Sequence, residues 1–176
     1  MRFQKIINFH CPRWDELPSE SLFNRDLVAY VNRILNNILF DNDYLTQTMV
    51  QNYSKWGVIP KIHGRKYERQ HVAYLIIITI YKQVLSLDDL KEGLRLQLNL
   101  MTLEEAYDSF AYILEQALKT VFQGVFTQAP LAIDSQIIIK DAEGVSLIAN
   151  TYAQKLLGSM IIQSGGYQKM KENVNE

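Results

Sequence analysis

The sequence predicts an all-α protein, with a short basic head followed by a longer helical body. Three observations predict it. Only eight glycines and four prolines interrupt 176 residues, so long regular elements are favoured over many short strands. Apolar residues recur at three- and four-residue spacing over residues 24–40, 103–121 and 145–160. Side chains at capping spacing open further helices at Ser86–Asp89 and Thr102–Glu105.

Residues 1–22 read as an irregular N-terminal segment, with Pro12 and Pro18 flanking Trp14. The first helix is expected over Asn24–Phe40, because Leu27, Val31, Ile34, Leu35, Ile38 and Leu39 fall on one face. Asn24 is the expected N-cap, and Asp41-Asn42-Asp43 the stop. A short helix follows, from Gln47 to Trp56. The Thr46 hydroxyl is placed to accept a backbone N–H of its first turn, and Gly57 sits where a left-handed C-cap glycine belongs. Val58-Ile59-Pro60 leaves in extended form, since a residue before proline avoids the α region. Residues 61–67, Lys-Ile-His-Gly-Arg-Lys-Tyr, read as a basic turn or small β-hairpin.

Arg69 to Val84 is apolar on most sides. Its β-branched run Ile76–Ile80 suits a buried strand, but its length and lack of a turn signal favour a central core helix. Ser86 caps a helix to about Leu96, and Thr102–Glu105 opens another through Val121. Gly124–Pro130 is a break, and a last helix covers about Val145–Ile162. Residues 136–140 fit either a strand or the start of that helix. The polar tail, 164–176, is expected to be disordered. The expected organisation is therefore 1–22 irregular, 23–98 head, 99–163 body and 164–176 tail.

Composition excludes several classes. Cys11 is the sole cysteine, so neither an internal disulfide nor a multi-thiolate zinc site can form. His10, His63 and His71 lack acidic neighbours at ligand spacing, and no metal site or cofactor is expected. No nucleophile elbow, P-loop or dinucleotide glycine pattern occurs, and the pairs Asp88-Asp89 and Glu104-Glu105 sit in first turns, where the helix dipole accounts for them. An enzyme is not expected. The greasy run Val72–Ile80 is too short to span a bilayer, and no secretory leader is visible, so a cytoplasmic location is expected.

Charge is unevenly distributed. Residues 45–71 carry Lys55, Lys61, Arg65, Lys66 and Arg69 against Glu68 alone, whereas residues 86–176 hold seven Lys and Arg against twelve Asp and Glu. A basic segment on an acidic body suits a head that binds a polyanion.

The order of features from Leu45 to Leu94 resembles the DNA-binding head of MerR-type regulators, a winged helix-turn-helix. The residues that carry the likeness are Tyr53-Ser54-Lys55-Trp56-Gly57-Val58-Ile59-Pro60, the wing-like Gly64-Arg65-Lys66-Tyr67, and Leu85-Ser86-Leu87-Asp88-Asp89-Leu90. Over about residues 12–120 the chain also resembles a bacterial family, domain of unknown function eighteen-thirty-six. That likeness rests on Arg13-Trp14-Asp15-Glu16-Leu17-Pro18, on Met49, Asn52, Tyr53 and Lys55, on Tyr67, Arg69, His71 and Ala73, and on Lys82, Val84 and Ser86.

These resemblances imply a MerR-like head and a regulatory role. Gln51-Asn52 stands where MerR proteins carry an arginine-aromatic pair, and their cysteine metal ligands are absent.

The expected DNA-binding residues are Thr46, Gln47, Thr48, Gln51, Asn52, Lys55, Lys61, Arg65, Lys66 and Arg69. Gln and Asn side chains can pair bidentately with adenine and Thr can touch a thymine methyl, while Lys and Arg suit phosphates. Tyr53 is expected in the core and Trp56 packed at the helix end. The partners expected are duplex DNA and a second copy of the chain, with helices 103–122 and 145–162 serving dimerisation or a small-molecule or protein effector. Tyr107, Phe110, Tyr112, Phe122, Phe126 and Tyr152 are the aromatic candidates there, and most are expected to fill the core. The alternative is a protein-interaction module whose head no longer binds DNA.

Overall fold

A computed structural model describes residues 2–126 and 138–175. Among them are eight α-helices and two two-residue strands, so the protein is predominantly helical. In chain order these are α1 (Arg2–Ile7), β1 (Leu22–Phe23), α2 (Asn24–Leu35), α3 (Gln47–Lys55), β2 (Lys66–Tyr67), α4 (Arg69–Tyr81), α5 (Leu87–Leu98), α6 (Leu103–Gln123), α7 (Glu143–Gln163) and α8 (Tyr167–Asn175). No described helix is long and apolar enough to cross a membrane. The chain divides into two compact units. One is Pro12–Ala111, and the other joins Met1–Cys11 to Tyr112–Glu176.

In the unit 12–111, α4 is the buried centre. From His71 to Tyr81 every residue except Tyr74 is buried. The β-branched run is helical, and Ile76, Ile78 and Ile80 are fully enclosed, each contributing about 1.5–3 kcal/mol by leaving water. The buried Thr79 hydroxyl is satisfied, because Oγ1 donates to the Leu75 carbonyl at 2.6 Å. The helix α2 lies against α3 and α4 through Leu27, Val31 and Leu35, all fully buried. It stops five residues short of the expected end. Asn36 and Asn37 are weak helix formers, and the N–H groups of both Ile38 and Leu39 turn back to the Leu35 carbonyl. Ile38 and Leu39 still reach the core from that turn. Phe23, not Asn24, occupies the cap position of α2.

Three local readings hold. The Thr46 hydroxyl accepts from Met49 N–H at 3.2 Å. Ser86 Oγ accepts from Asp89 N–H at 3.1 Å. Thr102 and Glu105 form a reciprocal box, with bonds of 2.9 and 3.3 Å.

Two corrections concern segments expected to lack structure. Within residues 1–22, Arg2–Ile7 is helical, Trp14–Glu16 forms a 3-10 turn and Leu22 opens β1. The Trp14 turn is pinned by its own N–H, which donates to Asp108 Oδ1 at 2.7 Å, and by an edge-on contact of its ring with Tyr107. The tail residues Tyr167–Asn175 form α8 on α7, held by the buried Met170 after a reversal at Gly165-Gly166, both at positive φ.

Residues 61–67 do not form a hairpin of their own. Pro60 has no N–H to give to a ladder and Gly64 turns the chain at φ 88°, which leaves only Lys66-Tyr67 extended. That pair finds its partner far back in the chain, antiparallel to Leu22-Phe23, with Leu22 opposite Tyr67 and Phe23 opposite Lys66.

In the other unit, the α1 ring of Phe3 packs on Phe122 with centroids 5.7 Å apart. Glu115 accepts from the Cys11 N–H at 2.9 Å. The break expected at 124–130 begins as a 3-10 turn at Gly124–Phe126, and its remainder lies outside the described residues. Of residues 136–140, the first two lie outside the described part; Ile138–Lys140 is neither strand nor helix, and α7 starts at Glu143.

Candidate nucleic-acid interface

The helix α3 is two-faced. Val50 and Tyr53 point into the core and Asn52 is half-buried. Gln47, Gln51 and Lys55, four residues apart, are exposed, as are Thr46 and Thr48. Burial raises the Tyr53 hydroxyl above the ordinary tyrosine pKa, as a core position requires. Gly57, at φ 65°, ends the helix in the left-handed conformation, and the next residues return to the core as Val58 and Ile59.

Several side chains fix where α3 sits. Asn32 on α2 brackets Leu45, its Nδ2 donating to the Leu45 carbonyl and its Oδ1 accepting from the Leu45 N–H, both at 2.9 Å. Asn24 Nδ2 donates to the Gln47 carbonyl at 3.2 Å. At the far end, Lys91 on α5 donates to the Trp56 carbonyl at 3.3 Å. Behind α3, the Lys82 ammonium lies 3.6 Å from Met49 Sδ. Its pKa is lowered by burial, a shift that the charge of Asp43 partly opposes.

The basic turn is tied to this helix through β1. Lys66 faces Phe23 across the strand pair, and the adjacent Asn24 holds the first turn of α3. The segment from Leu45 to Tyr67 contains no Asp or Glu. Lys55, Lys61, Arg65 and Lys66 are all exposed, and no ion pair engages them among the described residues.

Two expected residues are placed differently from the rest. Lys66 keeps its ammonium over the Phe23 ring, 5.0 Å from the centroid. Arg69 is turned towards the N-terminal segment, over the Trp14 ring at 5.9 Å and 3.8 Å from Asp15 Oδ1, with only 27% of its side chain exposed. Trp56 departs from the packed role expected for it. Its backbone closes the helix, but the residue is 52% exposed.

Beside it, residues 57–60, Tyr74 and α5 line an open groove of about 480 Å³ with Val58, Ile59, Leu94 and Leu98 on its apolar side. Of the aromatic effector candidates, Tyr107, Phe110, Phe122 and Tyr152 are buried, while Tyr112 and Phe126 are exposed.

Asn24, Asn32, Lys91 and Phe23 were not singled out from the sequence as contributors to this surface. The asparagines and lysine act on backbone groups distant in sequence, which no local pattern announces. Phe23 alone carried a signal, as an aromatic residue outside the α2 stripe.

No curated protein and no solved structure matches the chain. A family profile matches residues 12–110, more than half of the chain, and its bounds coincide within one residue with the compact unit Pro12–Ala111. The chain belongs to the family described as domain of unknown function DUF1836.

Proposed function

We propose that the unit Pro12–Ala111 binds duplex DNA, with α3 in the major groove and the Lys61–Lys66 turn on the neighbouring backbone, and that the chain acts as a dimeric transcriptional regulator. One observation carries this reading. The exposed polar face of α3 and the cationic turn are joined through Phe23 and Asn24, on a stretch from Leu45 to Tyr67 without acidic residues. The likeness to MerR heads supports it, with α3 in the role of recognition helix. In that role Gln47, Thr48, Gln51 and Asn52 meet base edges, and Lys55, Lys61, Arg65 and Lys66 meet phosphates, which position the helix without reading sequence.

Dimerisation or effector binding is assigned to α6 and α7, and the exposed Leu147 and Ile162 on α7 support an interaction there. The test is binding to random duplex DNA across a salt series. Affinity falls steeply with salt, and alanine at Lys55, Arg65 or Lys66 lowers the slope by about one phosphate each. Absent or salt-insensitive binding at low ionic strength refutes the proposal. It favours a protein-interaction module instead, a reading supported by the exposed Trp56 beside the open groove.

A further inference from the structure

Phe23 is a large apolar side chain on a polar, cationic surface. The residue is 52% exposed although it belongs to the strand pair, because β1 turns alternate residues outward and Phe23 takes the outward register opposite Lys66. The Lys66 ammonium rests 5.0 Å from the ring centroid, so cation and ring present one combined surface. Asn24, the next residue, is bonded to the first turn of α3. Phe23 therefore links the residue that holds α3 to Lys66 of the turn, and the segment from Leu45 to Tyr67 that it joins carries no acid.

We infer that Phe23 is a DNA-contacting residue, whose ring packs on the deoxyribose wall of the minor groove next to the major groove occupied by α3. This inference rests on the DNA-binding reading and extends it to a residue of the N-terminal strand. The partner is fixed by charge. Apolar side chains flanked by Arg and Lys are the kind that enter minor grooves, where the cations hold the phosphates and the ring meets sugar and base edges. A ring acting this way contributes affinity without releasing counterions, so it should change the binding constant and leave the salt slope alone.

The experiment compares the full chain with Phe23→Ala and Phe23→Leu on an A·T-rich duplex, with and without netropsin, which fills the minor groove. Thermal melting of each variant reports folding. If Phe23→Ala fails to fold, Phe23→Thr, which keeps strand propensity, takes its place. The expected result is about tenfold weaker binding for Phe23→Ala at an unchanged salt slope. Phe23→Leu should stay near the wild type, and netropsin should weaken the wild type more than Phe23→Ala. Equal affinity of Phe23→Ala and wild type, or equal weakening of both by netropsin, overturns the inference while the DNA reading stands. A wild-type chain that does not bind overturns both.

Discussion

Asn32 and Leu45 share a two-bond clamp: the amide of Asn32 satisfies both the N–H and the carbonyl of Leu45, each at 2.9 Å. Leu45 is 2% exposed, so water does not replace those bonds. The clamp fixes the point where the chain enters α3. Asn32→Ala leaves two buried backbone groups unpaired and should cost about 2–3 kcal/mol, read as a lower midpoint in urea with unchanged m-value. A loss under 0.5 kcal/mol, the scale of an ordinary surface change, contradicts this role for the clamp.

The other end of α3 depends on backbone geometry. A Cβ built on Gly57 meets only Lys91 Nζ, at 3.7 Å, an ordinary contact. The cost of Gly57→Ala is therefore conformational, about 1–2 kcal/mol from the left-handed φ of 65°. Gly57→Asn should cost less, since asparagine tolerates that region. If both variants lose the same stability, the left-handed backbone is not the cause.

That pairing of local and distant contacts separates what the sequence shows from what it hides. Thr46, Gly57, Ser86 and Thr102 were legible because a cap is a contact between residues only a few positions apart. The α4 helix was legible from its length and lack of breakers. The two-residue strands were not, because they carry no alternation and no turn joins them; α2 and α3 separate Leu22 from Tyr67 in the chain. The clamp of Asn32 on Leu45 and the turn of Arg69 towards Trp14 are likewise settled by tertiary placement. The tail was misjudged on polarity, which hid the buried Met170 of α8. On the candidate surface the residue types were legible, and the ribbon linking them was not.

Buried titratable groups set the alkaline behaviour. Desolvation lowers the pKa of Lys82 in the folded state, so folding opposes its charged form below that pKa. The unfolded chain binds the extra proton between the folded value and the ordinary lysine value, and there stability rises with pH. Tyr53, Tyr67 and Tyr74 are shifted the opposite way, and Tyr81, fully enclosed, most of all. Their contribution is intact below the ordinary tyrosine pKa of about 10 and is lost as pH climbs towards the folded values. Lys82→Met should raise the melting temperature at neutral pH and flatten the rise below the tyrosine range. Tyrosinate absorbance should then appear together with loss of helix. Ionisation of Tyr53, Tyr67 and Tyr81 in a still-helical chain contradicts their burial.

The two arginines at the basic turn separate a DNA role from a structural one. Arg65 is exposed on the turn, whereas Arg69 lies over Trp14 and beside Asp15. A phosphate contact by Arg69 would require it to leave that ring, and the Asp15 carboxylate already offsets part of its charge. Arg65→Ala should lower the salt slope of DNA binding by about one phosphate. Arg69→Ala should leave the slope unchanged and lower the melting temperature, because the Trp14 turn loses its cover. Trp14→Ala separates the two effects. If Arg69 only braces that turn, the double variant Arg69→Ala/Trp14→Ala should be less destabilised than the sum of the single changes. A slope that drops for Arg69→Ala as it does for Arg65→Ala would put Arg69 on the DNA.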